Sequence, residues 1–185
     1  MDEAVLTKDR VTDSSTAMSS LQMPDATRMA ERALLDALEF CVQEIGLDDP
    51  EAMARRIQQG NNVACACFRY GLAKQVAQSL SDLDDSIKAV YTLDCRLVPL
   101  DLTSDELAED IQRLHLLVWM QPEILGFGSV VEALDRALVQ GYADILGIGD
   151  RVALLDVQVI DDADVEKLIG YGAVLASICH RVTTV

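Results

Sequence analysis

A short glycine-containing segment is the first place in this sequence where the residue types could bind a ligand. Gly126, Gly128 and Ser129 lie between a predicted strand and a predicted helix, where backbone N–H groups and the helix dipole can hold a phosphate. Val131 stands where a dinucleotide-binding motif would have its third glycine, and no lysine follows as in a P-loop. A turn in which Ser129 and Glu132 form a capping box is therefore the favoured interpretation, and a phosphate site is the alternative.

Carboxylates cluster after the last predicted strand, at Asp161, Asp162, Asp164 and Glu166. Acids at the end of a strand can hold a hard cation such as magnesium. Acids in the first turn of a helix also cap free N–H groups and interact favourably with the helix dipole, and we favour that role. We predict no metal site and no cofactor, and we assign no residue a catalytic role. The candidate ligand-binding residues are Gly126, Gly128, Ser129, Asp156 and Asp161.

The sequence positions of the two histidines and five cysteines favour structural rather than catalytic roles for them. His115 lies in a predicted central strand, where a hydrogen-bonded structural histidine is favoured over a catalyst. His180 follows Cys179 directly, but neighbours in sequence do not acquire nucleophile–base geometry. Cys65 and Cys67 lack the second ligand pair that a zinc site needs. The odd number of cysteines fits no disulfide framework, so reduced thiols in a cytoplasmic protein are the simplest interpretation.

Composition excludes several classes of function. The chain has 185 residues, half of them apolar, and a formal net charge of −16 from 15 basic and 31 acidic residues. This charge repels nucleic acid and anionic membrane surfaces. No apolar run approaches the ~20 residues that span a bilayer, and the polar N-terminal segment does not resemble a secretory leader. We therefore expect a soluble, cytoplasmic protein that binds neither nucleic acid nor membrane.

Hydrophobic periodicity predicts the elements that would position these residues. The fold class is α/β: a small three- to four-stranded mixed sheet flanked by helices, with an N-terminal helical arm. Residues 1–23 are predicted to be a disordered tail, 24–60 the helical arm and 61–185 an α/β domain. Predicted helices cover residues 25–45, 50–59, 62–80, 104–110, 129–146 and 162–169, and predicted strands cover residues 87–93, 113–120 and 152–160.

Two of these elements carry further predictions. The strand over residues 113–120 is apolar on both faces, so it should be central and covered on both sides. The segment from there to residue 160 is long enough for a crossover between parallel strands. The first helix has one continuous stripe of small and medium apolar residues, which suits either packing on the α/β body or a homodimer seam.

Residues 68–185 resemble the minimal nucleotidyltransferase fold of small antitoxin-type and antibiotic-modifying transferases. The resemblance lies in the strands KAVYTLDC (88–95), RLHLLV (113–118) and LDVQVID (155–161) and in their order with the helices. The family has Gly-Ser after the first strand, two aspartates in the second and one in the third. Here Asp94 and Cys95 stand in place of Gly-Ser, and Arg113 and His115 stand in place of the two aspartates of the second strand. Only the third aspartate is kept, as Asp156. The resemblance therefore implies the fold without the reaction, because an arginine and a histidine cannot hold the metal ions of phosphoryl transfer.

Taken together, the residues favour a non-catalytic interaction or regulatory module of the cytoplasm, and we predict that it forms a homodimer or binds another protein. The alternative is a nucleotide- or phosphate-binding protein, or a transferase-related enzyme, that uses the loops at the strand ends.

Overall fold

The computed structural model describes residues 23–47, 49–93, 113–121 and 126–182. Within these residues the α/β class and the small mixed sheet flanked by helices are confirmed. The tail predicted for residues 1–23, apart from Met23, and the helix predicted for residues 104–110 lie outside the described residues. The helices are α1 (Met23–Ile45), α2 (Pro50–Gln58), α3 (Asn62–Ser81), α4 (Phe127–Leu146), α5 (Asp162–Glu166) and α6 (Tyr171–Val182), and the strands are β1 (Ile87–Leu93), β2 (Leu114–Met120) and β3 (Leu155–Ile160).

The three strands form one sheet in the order β1-β2-β3. β2 is central, as its apolar faces predict; β1 pairs with it antiparallel and β3 parallel. Val118 of β2 faces Val90 of β1 and Val159 of β3. α4 lies in the connection between the two parallel strands, as the segment length predicts.

Helix ends in the N-terminal part follow local sequence signals. Gly46 ends α1 with a positive φ of 69°, and the N–H of Leu47 donates to the carbonyl of Val42 (3.0 Å), which is a Schellman cap. Asp49 caps α2 by accepting from the N–H of Ala52 (2.6 Å). Asn61 caps α3 in the same manner. These caps confirm the helix starts predicted from Asp-Pro and Asn.

The predicted start of α4 is wrong. Its N-cap is Gly126, with φ 96° and no capping side chain, so Ser129 lies inside the first turn and forms no capping box. Phe127 is buried in the main core. The burial of this aromatic side chain accounts for a start two residues before the one that the Ser-Glu pattern predicts.

The last elements are shorter or longer than predicted. β3 begins at Leu155 rather than at residue 152. α5 ends at Glu166 rather than at residue 169, because Leu168 and Gly170 adopt positive φ values of 54° and 51°. α6 then begins at Tyr171 and continues to Val182, through residues whose pattern is ambiguous in the sequence.

α1 is covered within its own chain. It packs against both α3 and α4, and the stripe of Ala30, Ala33, Leu34, Ala37, Leu38 and Cys41 is buried in the main core. Two glycines allow α1 to lie close to these helices. A Cβ at Gly71 of α3 would lie 2.9 Å from the ring of Phe40, and a Cβ at Gly141 of α4 would collide with Leu34. The stripe therefore serves intramolecular packing, while the domain boundary at residue 60 stays a prediction.

The ionisation of the buried Tyr142 is expected to make the stability of the core depend on pH. Burial raises the pKa of Tyr142 to about 12, partly offset by the charges of Arg151 and Arg69. Because the folded-state pKa lies above the unfolded value of ~10, this contribution to stability is complete below pH ~10 and is lost as the pH rises through ~12. We expect the free energy of unfolding, measured with urea, to fall by up to ~3 kcal/mol across this window. The Tyr142→Phe variant should lack that part of the fall; an identical alkaline profile for the two proteins would contradict the assignment.

Candidate functional site

The candidate site lies at the end of the sheet where β2 and β3 begin. The parallel register places His115 of β2 beside Asp156 of β3. Nδ1 of His115 is 2.8 Å from Oδ2 of Asp156, and Nε2 of Gln158 donates to Oδ1 of the same carboxylate (2.9 Å). Both oxygens of Asp156 thus have a partner. The side chains of His115 and Asp156 are 12% and 33% exposed, so the pair is largely shielded but reachable from solvent.

Strand alternation explains why these three side chains meet. Successive residues of a strand point to opposite faces, and the even-numbered apolar residues of β2 enter the main core. His115 therefore points to the other face, together with Leu117. On that face Leu117, Ile160 and Leu175 form a second, smaller core under α6. The His115–Asp156–Gln158 group lies beside this small core.

Two arginines, Arg69 and Arg151, lie at this end of the sheet, together with the acid Asp135, which accepts from the N–H groups of Leu154 and Leu155. Nη2 of Arg69, on α3, donates to the carbonyl of Arg113 just before β2 (2.7 Å). Arg151, shortly before β3, and Arg69 both lie close enough to the buried Tyr142 to act on its pKa. Nε of Arg151 is buried and has no hydrogen-bond partner among the described residues; Oδ1 of Asp150 is 3.8 Å away.

This arrangement determines which chemistry the site can carry. Divalent cations in phosphoryl transfer are held by clustered carboxylates. In the part of the chain that the structure describes, no group of three or more His, Cys, Asp or Glu side chains could hold a metal ion. The single carboxylate of Asp156 is engaged by an imidazole and an amide. The site suits a fixed hydrogen-bond network, and its arginines suit an anion better than a cation.

Asp156 and Asp161, both candidate ligand-binding residues, lie at opposite ends of β3. Asp156 is the second residue of β3, and Asp161 follows its last residue, so about 16 Å of strand separates them. Asp161 caps α5: it accepts from the N–H of Asp164 (2.8 Å), and Asp164 completes a capping box. The favoured capping role is therefore observed for Asp161 and Asp164.

The glycine segment also lies apart from Asp156. Gly126, Gly128 and Ser129 form the first turn of α4. Asp135, in the middle of that helix, is the residue that reaches the start of β3, where it accepts from the N–H groups of Leu154 and Leu155. Nine residues of helix separate Gly126 from Asp135, a rise of about 13 Å.

A second polar cluster at the other end of β2 was missed by sequence reasoning. Oδ1 of Asp162 accepts from Nε1 of Trp119 (2.9 Å) and from Nζ of Lys88 (2.5 Å). The Lys88 ammonium also lies 5.2 Å from the centre of the Trp119 ring, in cation–π geometry. The hydrogen bonds from Lys88 and then Trp119 hold the pKa of Asp162 below its ordinary value. Lys88 and Asp162 are 74 residues apart, and no local pattern links them.

The single tryptophan makes this cluster measurable. Because the pKa of Asp162 is lower in the folded state than in the unfolded state, Asp162 contributes fully to the free energy of unfolding above its unfolded pKa. This contribution is lost as the pH falls through the folded-state pKa. We expect a change in Trp119 fluorescence with a midpoint below ~3.9, the ordinary pKa of an aspartate. Asp162→Asn should abolish this transition, whereas Asp144→Asn, which removes an acid hydrogen-bonded to Gln140, should retain it. A transition unchanged in Asp162→Asn would show that another group causes it.

A shallow groove runs between α3 and β1, away from both clusters. Its polar lining includes Tyr70, Lys74 and Thr92. Nζ of Lys74 lies 5.7 Å from the centre of the Phe40 ring, and the Phe40 and Tyr70 rings pack with their centres 5.9 Å apart and their planes tilted by 45°. None of the candidate residues from the sequence lines this groove.

No family model, curated protein or solved structure matches this chain. Among the described residues, no helix is both long enough and apolar enough to cross a membrane. The function must therefore be argued from the geometry of the side chains.

Proposed function

We propose that this chain is a non-catalytic interaction module on a nucleotidyltransferase-like scaffold. The single observation that carries the proposal is the state of Asp156: both of its carboxylate oxygens are engaged, by His115 and by Gln158. In the resembled family the equivalent acid shares metal ions with two further carboxylates. Here the corresponding residues are Arg113 and His115, so the site holds itself together through hydrogen bonds and leaves no acid open for a cation.

The register of the sheet supports the proposal that the residue types at this site exclude a metal ion. β2 and β3 are parallel and in register, so that residue 115 lies directly beside residue 156. An aspartate at position 115 would thus stand next to Asp156, which is the juxtaposition a metal site needs. The proposal attributes the difference from a metal-binding arrangement to the side chains at positions 113 and 115.

Thermal unfolding with nucleoside triphosphates and Mg²⁺ or Mn²⁺ tests the proposal. The natural chain is expected to show no shift. The double variant Arg113→Asp/His115→Asp is expected to become more stable on adding Mg²⁺, by about 2.7 kcal/mol at a hundred times the dissociation constant. Arg56→Asp, on the exposed face of α2, is the control for added negative charge. Metal-dependent stabilisation of the natural chain by a nucleotide, or nucleotidyl transfer by it, would overturn the proposal.

One observation favours a second candidate function, the binding of a phosphate-bearing ligand without catalysis. Nε of Arg151 is buried without a hydrogen-bond partner among the described residues, and buried donors are rarely left so. The Arg151 side chain as a whole is 26% exposed, so a phosphate ion that draws the guanidinium group outward would give this nitrogen a partner. Inorganic phosphate and pyrophosphate should then stabilise the natural chain in the absence of metal and should not stabilise Arg151→Met. Equal responses of the two proteins, or none, would remove this candidate.

The homodimer stays a separate prediction. Its basis in the sequence was the stripe of α1, which packs against α3 and α4 of the same chain. Two copies with a charge of −16 each also repel one another. We therefore propose a partner of different sequence. A solution mass equal to one chain across a wide concentration range would exclude the homodimer, and a mass of two chains would establish it.

A further inference from the structure

Exposed apolar side chains concentrate in one short segment. Leu168, Ile169, Tyr171 and Val174, here called the apolar turn, are between 36% and 60% exposed. They make up four of the nine exposed large apolar side chains among the described residues. Single exposed apolar residues are normal on a protein surface, but four within seven consecutive positions favour an interaction site.

The backbone of the apolar turn is built to hold these side chains in place. Leu168 has a φ of 54°, the one positive φ of a non-glycine residue in the described chain. The N–H of Ile169 donates to the carbonyl of Asp164 (2.9 Å), and the N–H of Gly172 donates to that of Ile169 (2.8 Å). A left-handed leucine costs free energy that the surrounding structure must offset, and such residues concentrate at functional sites. A rigid apolar surface loses little entropy on binding.

Charge around the apolar turn selects the partner. The preceding helix α5 and its caps carry the acids Asp161, Asp162, Asp164 and Glu166 and the base Lys167. Lys88 also pairs with Asp162, so the acids here exceed the bases by two. The chain as a whole carries −16. An anionic lipid surface or a second copy of the chain would meet the same sign of charge and be repelled. A partner with basic residues around an apolar centre would be attracted and would cover Leu168 and Ile169.

We infer that the apolar turn is the docking surface for a basic protein segment, one that presents apolar anchors flanked by Lys or Arg. This inference rests on the proposed function, because it identifies where the interaction module binds and the chemistry of what it binds. Interfaces of this kind place an apolar centre inside a polar rim, and the rim charges set the rate and choice of partner.

The probe is a labelled amphipathic helical peptide of about 18 residues of leucine and lysine, tested at physiological salt by fluorescence anisotropy. Its comparators are a scrambled peptide of the same composition and a leucine–glutamate peptide of the same pattern. The variant is Leu168→Asn/Ile169→Asn; asparagine tolerates the left-handed conformation of residue 168, and circular dichroism checks that the variant folds. The matched control is Leu35→Asn, which removes an equally exposed leucine from α1.

The natural chain and Leu35→Asn should bind the leucine–lysine peptide alike, and the double variant at least about tenfold more weakly. Equal binding by the double variant, or by the scrambled peptide, would overturn the inference, because the acidic surface alone would then account for attraction. Turn-dependent binding of the leucine–glutamate peptide or of phosphatidylcholine vesicles would also overturn it. So would a dimer of the natural chain that the double variant fails to form. These binding measurements use no nucleotide or metal. A negative result would therefore not affect the proposal that the chain is non-catalytic, which thermal unfolding with nucleotides and metal ions tests separately.

Discussion

Replacing Asp135 with alanine is expected to lower the free energy of unfolding by about 3 kcal/mol. Oδ1 of this residue accepts hydrogen bonds from the N–H groups of both Leu154 (2.7 Å) and Leu155 (2.9 Å). Both leucines are buried, so alanine would leave two shielded donors without an acceptor, at ~1–3 kcal/mol each before any relaxation. Urea unfolding of the variant and the natural chain measures the difference.

Two further variants separate the hydrogen bonds from the charge. Asp135→Asn keeps an acceptor oxygen in place, so it should cost only about 1 kcal/mol. Asp144→Ala removes an acid of the same helix whose partner is Gln140 on the exposed surface, and its effect should stay within ~0.5 kcal/mol. If Asp135→Ala were no more destabilising than Asp144→Ala, Asp135 would not be the residue that anchors β3 to α4.

Replacing Gly172 with alanine is the second change with a large expected effect. A Cβ at this position would collide with the backbone carbonyl of Asp164 and lie 2.8 Å from the nitrogen of Val165. Backbone cannot rotate away as a side chain can, so α5 and α6 must separate. Leu175 of α6 would then leave the small core that it forms with Leu117 and Ile160. We expect a loss of about 2–4 kcal/mol and weaker binding of the basic peptide, because the apolar turn joins these two helices.

Gly128→Ala is the matched control for this prediction. Gly128 lies in the first turn of α4 with no atom near the position of a new Cβ. Alanine there should be neutral or should stabilise the helix by up to ~1 kcal/mol. Thermal unfolding followed by circular dichroism compares the two variants. A melting temperature for Gly172→Ala equal to that of Gly128→Ala would show that the contact between α5 and α6 does not limit stability.

Elements defined by neighbours in sequence could be predicted from the sequence. Asp49 with Pro50, and Asn61, start their helices as expected because a cap acts over three residues. Apolar residues on both faces likewise predicted β2 as the central strand, since this pattern is visible within the strand itself. The same limit explains the failure at α4: Ser129 and Glu132 have the right spacing for a cap, but the burial of Phe127 in the core begins the helix earlier.

The candidate site depends on contacts between residues far apart in the chain. The pattern of apolar residues predicted that His115 would lie in a central strand and that Asp156 would lie in another. Only the parallel register of β2 and β3 decided that they meet, and only the tertiary structure joined Lys88 and Trp119 to Asp162. The physical reason is that caps and periodic faces act within a few residues. Whether two side chains 41 or 74 residues apart, such as His115 with Asp156 or Lys88 with Asp162, come into contact instead depends on the packing of the whole domain.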